Sequence, residues 1–106
     1  MFVRLKIRIF EKKCNNLRSR IINTTNDFKN DKISVWQAKD IVNGFDKEME
    51  DLEDTGDILS LKHQSSTFIV TCFLNRVSGR LINLERLVKS KEHKEKESIL
   101  KESLDC

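Results

Sequence analysis

Val3, Ile7, Phe10, Cys14, Leu17 and Ile21 follow one another at intervals of 4, 3, 4, 3 and 4, the spacing that keeps apolar side chains on one stripe of an α-helix. The opening residues also alternate, with Val3, Leu5, Ile7 and Ile9 set around Arg4, Lys6 and Arg8 in the manner of a half-buried strand. That alternation stops at Phe10, whereas the helical spacing runs on. A first helix over 1–22 is therefore expected. Asn23, Thr24, Thr25, Asn26 and Asp27 are expected to end it, because short polar side chains compete for the hydrogen bonds of the backbone.

A second helix is expected from Ser34. Ser34 and Gln37 have the spacing of a capping box, in which the serine oxygen accepts from the Gln37 N–H and the glutamine side chain reaches back. Val35, Ala38, Val42, Phe45, Met49 and Leu52 then recur at 3, 4, 3, 4 and 3. Thr55 and Gly56 are expected to close this helix, with Gly56 in the left-handed terminal position. Beyond it, Ile58, Leu61, Ile69, Phe73, Val77, Leu81, Leu84 and Val88 carry helical periodicity from Asp57 to about Ser90. The run Gln64 to Thr67 is poor in helix formers, so the third helix starts either at Asp57 or later, with Ser65 or Ser66 as its cap. Gly79 is expected to mark a close helix crossing. From Lys91 to Cys106 lysine and glutamate alternate, with Ile99, Leu100 and Leu104 the apolar exceptions; this stretch reads as a solvated helix or a flexible tail. The expectation is an all-α antiparallel bundle of three main helices over 1–90, followed by a charged helix or tail over 91–106.

Composition narrows the picture further. A length of 106 residues allows one small core. The chain is 35% charged, has no proline and has three glycines, so the turn chemistry on which all-β folds depend is missing. No apolar run approaches the roughly 20 residues of a membrane span, and the basic start lacks the uncharged core of a signal peptide; a soluble intracellular chain without membrane partners is expected. The net charge of +3 conceals a segregation. Residues 1–30 carry eight basic and two acidic side chains, 31–57 three and nine, and 58–106 nine and six, for sums of +6, −6 and +3. The first two segments therefore attract each other, or each meets a separate charged partner.

Catalytic chemistry finds little support. His63 and His93 are the only histidines, neither stands at motif spacing from a nucleophile, and no glycine-rich phosphate loop is present; no enzyme and no cofactor are expected. Cys14, Cys72 and Cys106 are odd in number and far apart, which points to reduced thiols, with Cys106 open to oxidation between chains. A zinc site from Cys14, His63 and Cys72 would lack a close ligand pair, so no metal is expected. The acidic run Asp46, Glu48, Glu50, Asp51, Glu53 and Asp54 lacks the ligand order and central glycine of a calcium loop and reads as a solvated helix face. Arg4, Arg8, Lys12, Arg18 and Arg20 could neutralise several phosphates, but tyrosine is absent and no stacking platform accompanies them. Trp36 lies off the stripe of the second helix, either as a lid over the end of the core or as an anchor for a partner.

The stretch Asp40 to Lys91, reading DIVNGFDKEMEDLED, ILSLKHQ and CFLNRVSGRLINLERL, is similar to the helical domain of the GINS DNA replication complex, most of all to its Sld-five-type subunit. The similarity covers about half the chain. An acidic helix precedes a long helix bearing an Arg-Leu-x-x-hydrophobic-Glu-basic element, matched here by Arg80, Leu81, Leu84, Glu85 and Arg86. Arg76 and Ser78 stand where the family has an aromatic and a further arginine, and the neutral Gln64 to Thr67 replaces its charged middle. The small β-rich domain of GINS subunits has no counterpart in this pattern. The resemblance implies a nuclear, non-enzymatic scaffold in a hetero-oligomer with other GINS subunits, the Cdc-forty-five protein and the MCM helicase. Arg80, Glu85 and Arg86 would then pair charges, while Leu81, Leu84 and the adjoining Leu87 would pack the interface. Two other readings carry different partners: a regulatory three-helix adaptor such as the amino-terminal domain of a SNARE, which would need a SNARE heptad helix and an anchor, and a small basic nucleic-acid-associated protein.

Overall fold

The computed structural model describes the backbone of residues 2–105 and the side chains of residues 4–101. Three helices make up almost all of it: α1 (Phe2–Lys29), α2 (Val35–Lys62) and α3 (Thr67–Asp105), with a single 3₁₀ turn, Gln64–Ser66, before α3. There is no strand among the described residues. Short connections send the chain up, down and up again, and all three helices pack on one another. The result is a rod of 69 × 22 × 17 Å with a radius of gyration of 18.0 Å, well above the ~13 Å of a compact globule of this length. The expected all-α antiparallel bundle is the fold observed. The apolar side chains at Phe2, Val3 and Leu104, and the Cys106 thiol, lie outside the described residues.

The helix stripes meet along the axis. Phe10, Cys14, Leu17, Ile21 and Phe28 of α1 face Val35, Ala38, Val42, Phe45, Met49, Leu52 and Leu59 of α2, and Val70, Phe73, Val77, Leu81, Leu84 and Val88 of α3 complete the core. The rings of Phe10 and Phe73 lie 6.4 Å apart in a tilted pair at the lower end. The capping box at Ser34 is present in both of its bonds: Gln37 N–H donates to Ser34 Oγ at 3.2 Å and Ser34 N–H to Gln37 Oε1 at 2.9 Å.

Two helix boundaries differ from the sequence expectation, each for a physical reason. α1 runs through the polar cluster at 23–27 because Thr24 and Thr25 donate their hydroxyls back to the carbonyls of Arg20 and Ile21, at 2.9 and 2.8 Å, and so fit within the helix. It ends instead at a Schellman closure, where Lys32 N–H donates to Asp27 O and Asp31 N–H to Phe28 O. Asp31 takes the left-handed conformation at φ 57°, which a short polar residue tolerates. α2 continues through Thr55 and Gly56 to Lys62. Gly56 is buried within it, and a Cβ there would stand 2.9 Å from Val70 Cγ1, 3.1 Å from Leu74 Cδ1 and 3.3 Å from Phe10 Cζ. The close crossing expected at Gly79 is therefore at Gly56; Gly79 has open space around it.

α3 begins after the soft segment, at Thr67, as the later of the two expected starts has it. Ile58, Leu61 and Ile69, expected in the apolar stripe, are exposed, and Leu59 and Val70 take the core positions. The charged stretch after Lys91 is helical through Asp105 rather than a flexible tail. With 39 residues against 28 in each of the others, α3 extends past the α1–α2 loop, and every side chain from His93 to Lys101 is exposed.

Candidate partner-binding surface

The RLxxLER element at the centre of the resemblance points in three directions. Leu81 and Leu84 belong to the core of the chain itself, Leu84 with no exposed area at all, so they are spent inside this bundle and are not open to a partner as the sequence reading expected. Arg80, Arg86 and the half-buried Leu87 line the groove between α1 and α3, opposite Ile22, Asn26 and Lys29. Glu85 turns the other way, into the α2/α3 groove with Lys39, Asn43, Asp46 and Lys89. Partial burial, followed by a hydrogen bond and repulsion from the neighbouring Asp46 carboxylate, raises the Glu85 carboxyl above its ordinary value, against a smaller opposing pull from Lys89.

Trp36 is 68% exposed near the start of α2, with the Lys39 ammonium 5.0 Å from its ring centroid. It is a surface aromatic bearing a cation on one face, not a lid over the core.

The basic cluster of α1 is dispersed. Arg4, Arg8 and Lys12 recur at every fourth residue and are exposed, forming one outward row. Arg20 turns towards α2, where Nη1 donates to Glu48 Oε1 at 2.7 Å and the guanidinium lies 5.6 Å from the Phe45 centroid. Arg18 is half-buried, with its Nε enclosed and unbonded. The attraction expected between the basic first segment and the acidic second one is thus realised at Arg20–Glu48. Cys14 is buried in α1, where desolvation pushes its thiol up to about 11 and keeps it neutral and unreactive; Cys72 is half-buried. Cys14, His63 and Cys72 do not converge, and among the described residues no three His, Cys, Asp or Glu side chains come together in a way that would hold a metal ion.

The surface that the sequence reading missed is at the basal end, where the N-terminus of α1, the C-terminus of α2 and the start of α3 meet. Six of the ten large exposed hydrophobic side chains among the described residues are there: Leu5, Ile9, Ile58, Leu61, Phe68 and Ile69. Leu61 and Phe68, on either side of the α2–α3 turn, are 82% and 80% exposed. Single exposed apolar residues are ordinary, but their concentration at one end is not. Between α1 and α2 this end forms a groove with Ile9, Phe10, Ile58 and Leu59 as its apolar lining and Lys6, Lys13 and Lys62 beside them. One signal in the sequence could have revealed it: the 3,4 rhythm of α2 continues from Leu52 to Gly56 and Leu59, which leaves Ile58 and Leu61 off the stripe.

Comparison with protein-family models, curated proteins and solved structures finds no match in any of the three. Among the described residues no helix is long and apolar enough to cross a membrane.

Proposed function

We propose that this chain is a non-enzymatic helical subunit of a multiprotein assembly, which acts by presenting its surface to other proteins. The observation that carries this reading is the gathering of exposed apolar side chains at the basal end beside lysines that have no carboxylate partner among the described residues. An apolar patch rimmed by charge is the usual form of a protein contact surface. The sharper version is a GINS-type replication factor in the nucleus, which scaffolds the replicative helicase together with other GINS subunits, the Cdc-forty-five protein and MCM. It rests on the resemblance of Asp40 to Lys91. In that version Arg80 and Arg86 of the matched element, with the adjoining Leu87, are what a neighbouring subunit can reach, while Leu81 and Leu84 hold the helix in place from within.

The test is isolation of the tagged full chain from its own cells at moderate salt, beside a variant with Leu61→Ser and Phe68→Ser. Stoichiometric partners with the parent chain that are lost with the variant support the subunit reading, and three GINS proteins among them support its sharper version. Recovery of no stoichiometric protein overturns both.

One observation favours a second reading, direct nucleic-acid binding: Arg4, Arg8 and Lys12 share an outward row. Three such contacts would make the logarithm of affinity fall with that of salt at a slope of about −3. A slope near zero, or no binding at low salt, removes this reading.

A further inference from the structure

The α1/α2 groove has two unlike halves. Its walls are spaced rows, Lys6, Ile9, Lys13, Asn16 and Arg20 on α1 against Lys62, Ile58, Thr55, Asp51 and Glu48 on α2. In the upper half the chain neutralises its own charge, since Arg20 is paired with Glu48 at 2.7 Å and Asp51 lies along the same wall. In the lower half Lys6, Lys13 and Lys62 surround Ile9 and Ile58, which are 47% and 53% exposed, and no carboxylate lines this half, although Lys13 also borders the upper one. The sequence around it is equally one-sided: no Asp or Glu occurs from Met1 to Phe10 or from Ile58 to Leu84.

We infer that the lower half of this groove receives an acidic amphipathic helix from a partner protein, laid between α1 and α2 as a fourth helix of the basal bundle. The inference rests on the subunit reading above and names the chemistry of the partner. An occupant has to cover two isoleucines and answer three lysines at once. A helix with leucines at i, i+3 or i+4, and i+7, and with Asp or Glu on either side of that stripe, does both, which is the helix-in-groove mode of recognition. The distance from Lys6 to Lys13 is about 10 Å along α1, so the footprint is two to three helical turns and the binding that of a transient contact. Other occupants fit less well. The α3 extension of a second copy has three lysines for its three glutamates over residues 92–101 and lacks the complementary charge. A phosphate backbone leaves the isoleucines uncovered. A bilayer surface is flat, whereas these apolar atoms lie between two helix walls.

The probe is a fluorescein-labelled, end-capped helical peptide with a leucine stripe flanked by glutamate, titrated into the full chain and followed by anisotropy, with a companion peptide in which lysine replaces each glutamate. The acidic peptide should bind, the basic companion at least roughly tenfold more weakly, and Ile58→Asp and Lys13→Glu should each weaken the acidic peptide by roughly tenfold. Ile58 and Lys13 are exposed, so both variants should melt as the parent does; Ile9→Ser, on the opposite wall, repeats the test should Ile58→Asp disturb the helix. Equal binding of the two peptides, indifference to the groove variants, binding only to phosphatidylserine vesicles, or self-association that excludes the peptide would each overturn the inference. Protein partners recovered from cells without any sensitivity to Ile58→Asp would overturn the groove assignment and leave the subunit reading standing. Peptide binding without any stoichiometric partner in cells would do the reverse.

Discussion

The two ends of this rod are built on different terms. At the upper end the α1–α2 loop is closed by a Schellman turn and a capping box, and α3 is tied across it: Lys91 Nζ donates to Asp31 Oδ1 at 2.6 Å and lies 4.9 Å from the Phe28 centroid, and Lys39 Nζ donates to Glu92 Oε1 at 2.6 Å. At the basal end no ion pair joins one helix to another among the described residues, and apolar side chains face outward. Exposed ion pairs add little stability one by one, so the contrast is chiefly one of completeness. The upper end ties helices together through Lys39–Glu92 and Lys91–Asp31, and the basal end leaves cations and hydrophobic area for something outside it. Core packing continues through both ends, which separates holding the fold from meeting a partner.

The largest expected effect breaks that separation. Leu84→Glu places a charge at a position with no solvent access and should cost at least about 3–5 kcal/mol, so circular dichroism should show loss of the cooperative thermal transition. A partner lost by this variant is lost with the fold. A Leu84→Glu protein that melts as the parent does would mean that Leu84 lies on a surface, as the resemblance alone led one to expect.

Glycine gives the next contrast, with opposite signs at its two sites. Gly56→Val should cost about 1–3 kcal/mol, since its new atoms meet Val70, Leu74 and Phe10 at the tight basal crossing. Gly79→Ala, in open space on an exposed turn of α3, should gain up to about 1 kcal/mol from helix propensity. Urea midpoints at equal slope distinguish the two, and a gain at Gly56 would show that the crossing is loose.

Those glycines also show where the fold was legible in the sequence. The bundle can be read because three stripes keep the 3,4 rhythm, and every side chain of the second stripe, Val35 to Leu52, is buried. The boundaries could be read only in part, because glycine and threonine carry two meanings. Gly56 has the look of a helix stop, yet it lies buried inside α2, where a Cβ would press on Val70, Leu74 and Phe10. Thr24 and Thr25 have the look of a turn, yet their hydroxyls return to the helix backbone. With Gly56 as a helix end, the pattern puts Ile58 in the core and leaves Leu59 out of it, which hides the basal patch. Arg80 to Leu87 could be recognised as a motif, but a linear motif does not say that its leucines face inward and its charges face two different grooves.

A smaller effect tests the closure of the upper end. Ser34→Ala removes the acceptor for Gln37 N–H and should cost about 1 kcal/mol. Stability should fall by this amount without any change in binding at the basal groove, measured by thermal melts and by peptide anisotropy. A change in both would couple ends that the packing keeps apart.

The smallest effect sharpens the comparison within the α2/α3 groove, where two glutamates on α3 respond to pH in opposite directions. The Glu92 carboxyl is held below its ordinary value, first by the hydrogen bond from Lys39 and then by that from Lys96. Its stabilisation is therefore complete above the unfolded value of about 4.5 and disappears as pH falls through the lower folded value. Glu85 is raised, so its folded form binds a proton first, and stability decreases as pH rises from about 4.5 through the raised value. Glu85→Gln keeps a donor towards Asp46 without the second charge. It should raise stability at pH 7 slightly, by no more than roughly 0.5 kcal/mol because solvent screens a group this exposed, and lose that advantage below pH 4.5, where the parent carboxyl is protonated in both states. Glu92→Gln should lower stability at pH 7 and draw level with the parent only at still lower pH. Denaturant midpoints for the two variants against pH should therefore approach the parent from opposite sides. If both fall below the parent at neutral pH, Glu85 is a stabilising group like Glu92, and the repulsion from Asp46 does not govern it.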